Sequence, residues 1–522
     1  MQAASASASP RALTSFWLAV ALLLAACAAW LPLWSTSIPP LLDYHNHLAR
    51  QYILVRADTS ELLRQWYVTS WHASPYLAFD GIVQALSALM PVDIAGKVFL
   101  GLMLLLLGLA PIALSLALVG RVTPAALLGL LFVHNDTVTL GFINYLFGIG
   151  FALCAAAAWI RFRLAPPWVR WLLFPLLCSL VFFSHLLGFV IYTLVIGSYE
   201  LGRYLHAVRR ADGVRRWALD LEQRRTLLSI VLQCALPLLI FAVWGPSTES
   251  VVHNTYGGIE RKFGLLLGMF SYLVPPYLWT FDRMLQLALP IALFVLLVAR
   301  RLRVDTGMLW PLGALLALFF AMPMELFSGW GADHRLLPAL ALLVVGSLRP
   351  AEGASPRWQS WAFAGVAALV VVRVAAVSND WHKSDQTYGA YQRAFEVVPD
   401  GSRMYFAFGH DGNKRIGTRP TYHLPTLVLA RRDVYVPYLF ATSSGGFTLA
   451  YHPQAEPWQR LSRGPVLLSG ASPDWDAIVG HFDYFLLVDE QHFGVPVPAS
   501  LERVFDGGSV KVYRRTAPRA PP

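Results

Sequence analysis

The segment Asp43-Tyr44-His45-Asn46-His47-Leu48-Ala49-Arg50 places one acid, two histidines and one cation within eight residues. A carboxylate just beyond an apolar helix can take a proton as a general base, or ligate a cation as a hard oxygen donor. His45 and His47 alternate, which suits a strand or loop turned toward a metal ion. The same residues also read as a helix start, with Asp43 as an N-cap accepting backbone N–H bonds. Arg50 lies two helical turns after Asp43, either beside the same site or as an arginine reaching for the membrane surface.

Further candidates follow along the chain. His134-Asn135-Asp136 lies between two apolar runs and brings a second acid, Asp136, to the membrane face carrying Asp43. Two carboxylates from different loops can orient a hydroxyl or chelate a divalent ion. Asn144 and Tyr145 follow a turn or two on. A later loop holds Glu249, His253, Gly257-Gly258 and Arg261-Lys262, where glycine N–H groups and cations could cradle a phosphate. Glu325 closes an apolar run, and Asp333-His334-Arg335 opens the next. Arg335 then sits at head-group level, where it would meet an anionic lipid-linked group or serve as an interfacial anchor. His185, in apolar surroundings, reads as a buried histidine.

These residues must be positioned by a membrane body. Of 522 residues, 56% are hydrophobic and 14% charged, against about 25% charged in a soluble chain. That excludes a soluble globular enzyme, a disordered chain and a disulfide scaffold. Spans of roughly 20 apolar residues are predicted near 12–34, 95–119, 122–134 (short), 139–160, 169–184, 186–202, 227–244, 284–299, 307–323, 335–348 and 358–378. The stretch 263–280 contains Pro275-Pro276 and is read as non-spanning. Cys27, Cys154, Cys178 and Cys234 all lie in apolar runs and read as buried thiols. Leu24-Ala25-Ala26-Cys27 resembles a lipoprotein cleavage site, but the apolar run continues past it, so an uncleaved first helix is predicted.

Arginine sets the direction. With the N-terminus inside, seventeen Lys and Arg fall on cytoplasmic segments and eight on the opposite loops before residue 358, as the positive-inside rule expects. The net charge of +10 is therefore a topology signal and gives no support for nucleic acid. Eleven spans put the C-terminus outside. Residues 1–378 form the predicted multi-span domain, with a long first periplasmic loop at 35–94. Residues 379–522 form a predicted periplasmic α/β domain with β-like runs at Arg403–Phe408, Thr426–Leu429, Tyr484–Val488 and Ser509–Tyr513.

An acid in the first outer loop, a second in the next, about eleven spans and an outer C-terminal α/β domain together resemble the GT-C superfamily of polyprenyl-phosphate-dependent glycosyltransferases. Asp43–Arg50 looks like the first-loop acidic motif of bacterial members. Phe482–Val488, Val504-Phe505 and Val512-Tyr513 look like the last strands of their outer domains. The resemblance implies that Asp43 activates an acceptor (glycan, lipid or protein) and that Asp136 is the second-loop acid. A polyprenyl-phosphate sugar would be the donor. The chain departs from the common paired-acid form: Tyr44 follows Asp43, and His45 and His47 take nearby positions. A divalent ion such as Mg or Mn, on Asp43, His45, His47 and Asp136, is one expectation. Charge growing on the departing phosphate would be met by Arg50, Lys97, Lys262 or Arg335, with His45 and His47 also lining the substrate site.

The expected function is sugar transfer on the periplasmic face of the bacterial inner membrane. The rival expectation is a non-catalytic membrane protein, either a transporter or an envelope-glycan assembly partner. Arg373, within the last span, is the residue that most favours transport.

Overall fold

The computed structural model describes residues 10–210, 219–244, 254–268, 279–326, 329–409, 421–441, 448–455, 458, 466–468 and 475–516. Seven helices among them are long and apolar enough to cross a bilayer: Thr14–Trp34, Val92–Val119, Ile143–Phe162, Pro167–Ser184, Leu186–Arg209, Leu221–Val243 and Pro356–Glu396. Shorter apolar helices include Met284–Val298, Thr306–Ala321 and Leu336–Ser347. Large side chains such as Leu172, Leu239 and Phe294 are more than half exposed. In water that exposure would be costly, whereas lipid tails match it. The chain is a multi-pass membrane protein. The first helix runs unbroken through Cys27.

Contacts divide the chain into two compact units. The first comprises Met1–Trp34, Leu100–Val138 and Asn144–Asp380. Its helices approach closely where side chains are smallest: a Cβ on Gly188 would lie 3.0 Å from the Gly148 backbone. The short segment expected at 122–134 is a broken one: one α-helical turn, Pro124–Leu127, continued by the 3-10 helix Leu128–Phe132. Residues 122–135 are all buried and pack on Leu336–Ser347. Apolarity there fills the protein interior and does not mark a lipid-facing span. The helix Ile259–Leu267 covers the start of the 263–280 stretch, whose remainder lies largely outside the described residues.

Arg373 is buried in the long helix Pro356–Glu396. It pairs with Asp282 of the helix Trp279–Val298 and donates to the His134 carbonyl at 3.1 Å. A buried guanidinium held this way fastens two helices and an irregular segment together.

The second unit comprises Ser35–Phe99, Thr139–Ile143 and Trp381–Pro522. The sequence boundary at 378/379 falls two residues from this division, but the first loop groups with the C-terminal segment. The core is a five-stranded sheet in the order Leu501–Asp506, Val510–Arg515, Tyr484–Val488, Met404–Gly409, Val466–Leu468. The first three strands pair antiparallel, while Met404–Gly409 runs parallel to both its neighbours. Every residue of Met404–Gly409 is buried, as a central parallel strand requires. Thr426–Leu429, expected as β, lies inside the 3-10 helix Leu424–Ala430. That helix packs on the helix Tyr44–Arg56, so burial and Pro425 override strand propensity. A short ribbon pairs Tyr67–Thr69 with Leu449–Tyr451, in register Tyr67↔Tyr451.

Candidate functional site

In the second unit the backbone around Asp43 is clamped from the chain segment 139–141. Leu42 N donates to Thr139 O at 2.9 Å, and Asp43 N to Leu140 O at 3.1 Å. Gly141 has φ +80, and a Cβ there would stand 2.6 Å from Asp43 N. An alanine at 141 combines a left-handed backbone with that clash, so Gly141→Ala is expected to cost about 1–3 kcal/mol. Thermal unfolding of the purified chain checks this; an unchanged midpoint would show that the clamp is dispensable.

Asp43 directly precedes the helix Tyr44–Arg56, and its carbonyl accepts His47 N at 3.0 Å. Its side chain makes no cap hydrogen bond. The helix start is as expected, but the carboxylate is not used to cap it. Instead Asp43 Oδ1 faces His423 Nε2 at 3.3 Å, with the Asp43 side chain 18% exposed. His423 is buried and stacks on Tyr438, with ring centroids 5.1 Å apart. The Tyr438 hydroxyl is 3.3 Å from the same Nε2. Phe440 crosses the His423 ring edge-on, and its N–H donates to Asn46 Oδ1 at 2.8 Å. A carboxylate held on one oxygen by an imidazole keeps the other oxygen for a proton in transfer.

Arg50 is fully buried and joins Asp80 at 2.8 Å. Gln51 Nε2 donates to the same carboxylate at 2.9 Å, and Thr448 Oγ1 donates at 2.5 Å. Lys97 Nζ donates to Thr36 O at 2.7 Å, while Asp385 accepts from Thr36 Oγ1 at 2.6 Å. Both cations are held by their surroundings within the unit.

His45 and His47 are buried on a helix, two residues apart, and such residues do not face one another. The His45 ring meets Tyr388 edge-on, and His47 lies against Phe79 and Phe440 with Nδ1 3.4 Å from Arg50 Nη1. Among the described residues no group of three His, Cys, Asp or Glu is placed to hold a metal ion. The side chains expected as ligands therefore do not fit that role.

Burial, then the neighbouring charge of Arg50 and the proximity of His423, holds the His47 imidazole well below its usual range. As the pH falls below about 6.5, the unfolded chain takes up a proton that the folded chain refuses. Folding stability is then expected to fall between about pH 6.5 and pH 5. His47→Gln should flatten that slope in melts followed across the interval; an unchanged slope would remove His47 as its origin.

In the first unit Asp136 opens the short helix Asp136–Thr139. Its Oδ1 accepts Thr137 N at 2.7 Å, and its Oδ2 lies 2.5 Å from His334 Nε2. Asn135, Asp136, His334 and Leu337 line one small crevice. Asp333 is fully buried, pairs with Arg261, and accepts Lys262 Nζ at 2.9 Å. Burial would raise its carboxyl, but the hydrogen bonds from Arg261 and Lys262 outweigh burial and hold it below the ordinary range. Lys262 also donates to the carbonyls of Met322 at 2.5 Å and Phe319 at 3.0 Å. Arg335 is half-buried and donates to Trp330 O at 3.3 Å. Asn144 and Tyr145 are buried, and the Tyr145 ring meets His185 edge-on at 5.4 Å. Glu325 Oε2 accepts Thr255 Oγ1 at 2.9 Å. Glu249 and His253 lie outside the described residues.

No family model matches this sequence, and no curated protein sequence does. Solved structures do. ArnT from Cupriavidus metallidurans bound to undecaprenyl phosphate aligns over 98% of this chain and 100% of its own, with TM-score 0.53 and 13% identity. The same protein in the apo state aligns over 97% of this chain and 98% of its own, with TM-score 0.50 and 13% identity. This chain has the ArnT fold. The helical membrane body with a small C-terminal sheet domain expected from the sequence is the architecture observed.

Two partners escaped sequence reasoning, His423 beside Asp43 and Asp80 beside Arg50, whereas His334 and Asp333 meet Asp136 and Lys262. His334 and Asp333 were legible as a polar cluster at an apolar boundary. Asp80 and His423 carried no local signal, because they sit 30 and 380 residues from the groups they meet.

Proposed function

We propose that this chain is a glycosyltransferase that moves a sugar from a polyprenyl-phosphate donor to a hydroxyl of an envelope glycan, lipid or protein. The arrangement of Asp43 and His423 carries the reading: a partly exposed carboxylate, free of its helix and oriented through one oxygen. The fold supports it, since an enzyme of that fold binds undecaprenyl phosphate. In the proposed reaction the acceptor oxygen bonds to the anomeric carbon as the carbon–oxygen bond to phosphate breaks. Asp43 takes the acceptor proton, and the electron pair leaves with the polyprenyl phosphate. Arg50 and Lys97 hold the backbone and acids around Asp43.

The Arg distribution supports a cytoplasmic N-terminus, a periplasmic second unit and residence in the bacterial inner membrane. A transporter is the weaker reading, because Arg373 is committed to an ion pair that fastens helices. The lipid and glycan profile of a deletion strain tests the proposal. Loss of one sugar-modified product with accumulation of its lipid-linked donor is the expected result; an unchanged profile would reject it.

A further inference from the structure

A cavity of about 590 Å³ opens in the helical unit beside the end of Ile143–Phe162, the end of Leu186–Arg210 and the start of Leu221–Trp244. That volume lies within the range of small-ligand sites. Leu201 and Leu227 form part of its apolar wall and are 48% and 51% exposed, so the wall continues onto the apolar flank of two candidate spans. Its mouth carries Arg163, Arg203, Glu200, Asp220 and Glu222.

Most of these charges are matched. Glu200 accepts Trp159 Nε1 at 3.1 Å and faces Arg203 Nε at 3.5 Å. Glu222 meets the buried Arg170 at 2.8 Å, and Arg170 also donates to Thr226 at 3.3 Å. Two charges remain. Arg163 is half-buried and forms no ion pair among the described residues. Asp220 accepts Gln223 N at 2.7 Å in a reciprocal cap, which leaves its negative charge in place.

We propose that this cavity binds a zwitterionic diacyl phospholipid whose headgroup joins a phosphate to a primary ammonium. The phosphate lies on Arg163, whose planar donors match its oxygens. The ammonium lies on Asp220, and the first methylenes of an acyl chain run along Leu201 and Leu227. An anionic headgroup without the ammonium would leave Asp220 unmatched and repelled. A quaternary ammonium has no N–H to donate to it. The apolar wall and the neighbouring spans select a lipid over a soluble phosphate ester.

The test uses the full chain in nanodiscs of equal phosphatidylethanolamine, phosphatidylglycerol and phosphatidylcholine, with retained lipid read by native mass spectrometry. Phosphatidylethanolamine should be retained at least about tenfold over either competitor, the ratio expected for one charge-assisted hydrogen bond. Arg163→Gln should lower retention of all three. Asp220→Asn keeps the cap acceptor and should equalise phosphatidylethanolamine and phosphatidylglycerol. Leu201→Trp fills the cavity without touching a charge, and should lower retention at an unchanged melting temperature. Equal retention of the three lipids by the wild-type chain would overturn the proposal, as would wild-type retention in Arg163→Gln and Leu201→Trp. If Arg163→Gln fails to fold, Leu201→Trp decides alone.

Discussion

Asp43→Asn is expected to slow sugar transfer by a factor of about 10²–10⁴ while leaving the melting temperature near that of the wild type. Asparagine keeps the shape of the side chain and an oxygen to accept a hydrogen bond from His423 Nε2, so the contacts that hold residue 43 persist. What it removes is the capacity to accept a proton at neutral pH. Because the Asp43 carboxylate caps no helix, the change costs little folding energy, which separates a chemical loss from a structural one. The measurement is the transfer rate from a polyprenyl-phosphate-linked sugar in reconstituted vesicles, beside a melt of the same preparation. A rate within about threefold of wild type would remove Asp43 as the base; a large fall in melting temperature would make its role structural.

The largest effect on stability is expected at Arg50. Arg50→Gln leaves Asp80 charged and about 2% exposed, and uncompensated buried charges of this kind cost about 3–5 kcal/mol. Removing both charges together, as Arg50→Met with Asp80→Leu, should recover much of that loss. The remaining donors, Gln51 and Thr448, would then need new partners, so recovery should be incomplete. Denaturant melts of the two singles and the double close the cycle. A single substitution within about 1 kcal/mol of wild type would show that water reaches Asp80.

Asp43–Arg50 stood out in the sequence because its residue types are rare beside apolar spans, although the alternation of His45 and His47 suggested an extended loop where the structure has a helix. The helix formed because Tyr44, Leu48, Ile53 and Leu54 supply buried apolar positions, and Asn46, Arg50 and Gln51 find polar partners. Those partners come from residues 80, 440 and 448, which no local pattern could link to residue 50. The sheet was legible where strands are apolar throughout: Tyr484–Val488 matched residue for residue. It failed at Leu424–Ala430, where a β-like run is buried by tertiary packing as a 3-10 helix. Hydropathy likewise did not reveal that 122–134 packs inside the protein as a helical turn and a 3-10 helix, since it cannot tell a lipid-facing run from a buried one.

The pairing of Tyr67–Thr69 with Leu449–Tyr451 bears on how the protein is made. The early strand emerges from the ribosome some 380 residues before its partner. At about 5–20 residues per second, it waits roughly 20–80 seconds while the spans are synthesised and inserted. Throughout that interval Arg50 and Asp80 lack Thr448, and the helix Tyr44–Arg56 lacks the 3-10 helix that covers it. Completion of this ribbon thus requires that translation has passed Tyr451. A nascent chain arrested after residue 380 carries the proposed base Asp43 without the His423 that orients it, so Asp43 reaches its described surroundings only once the later segment has joined it.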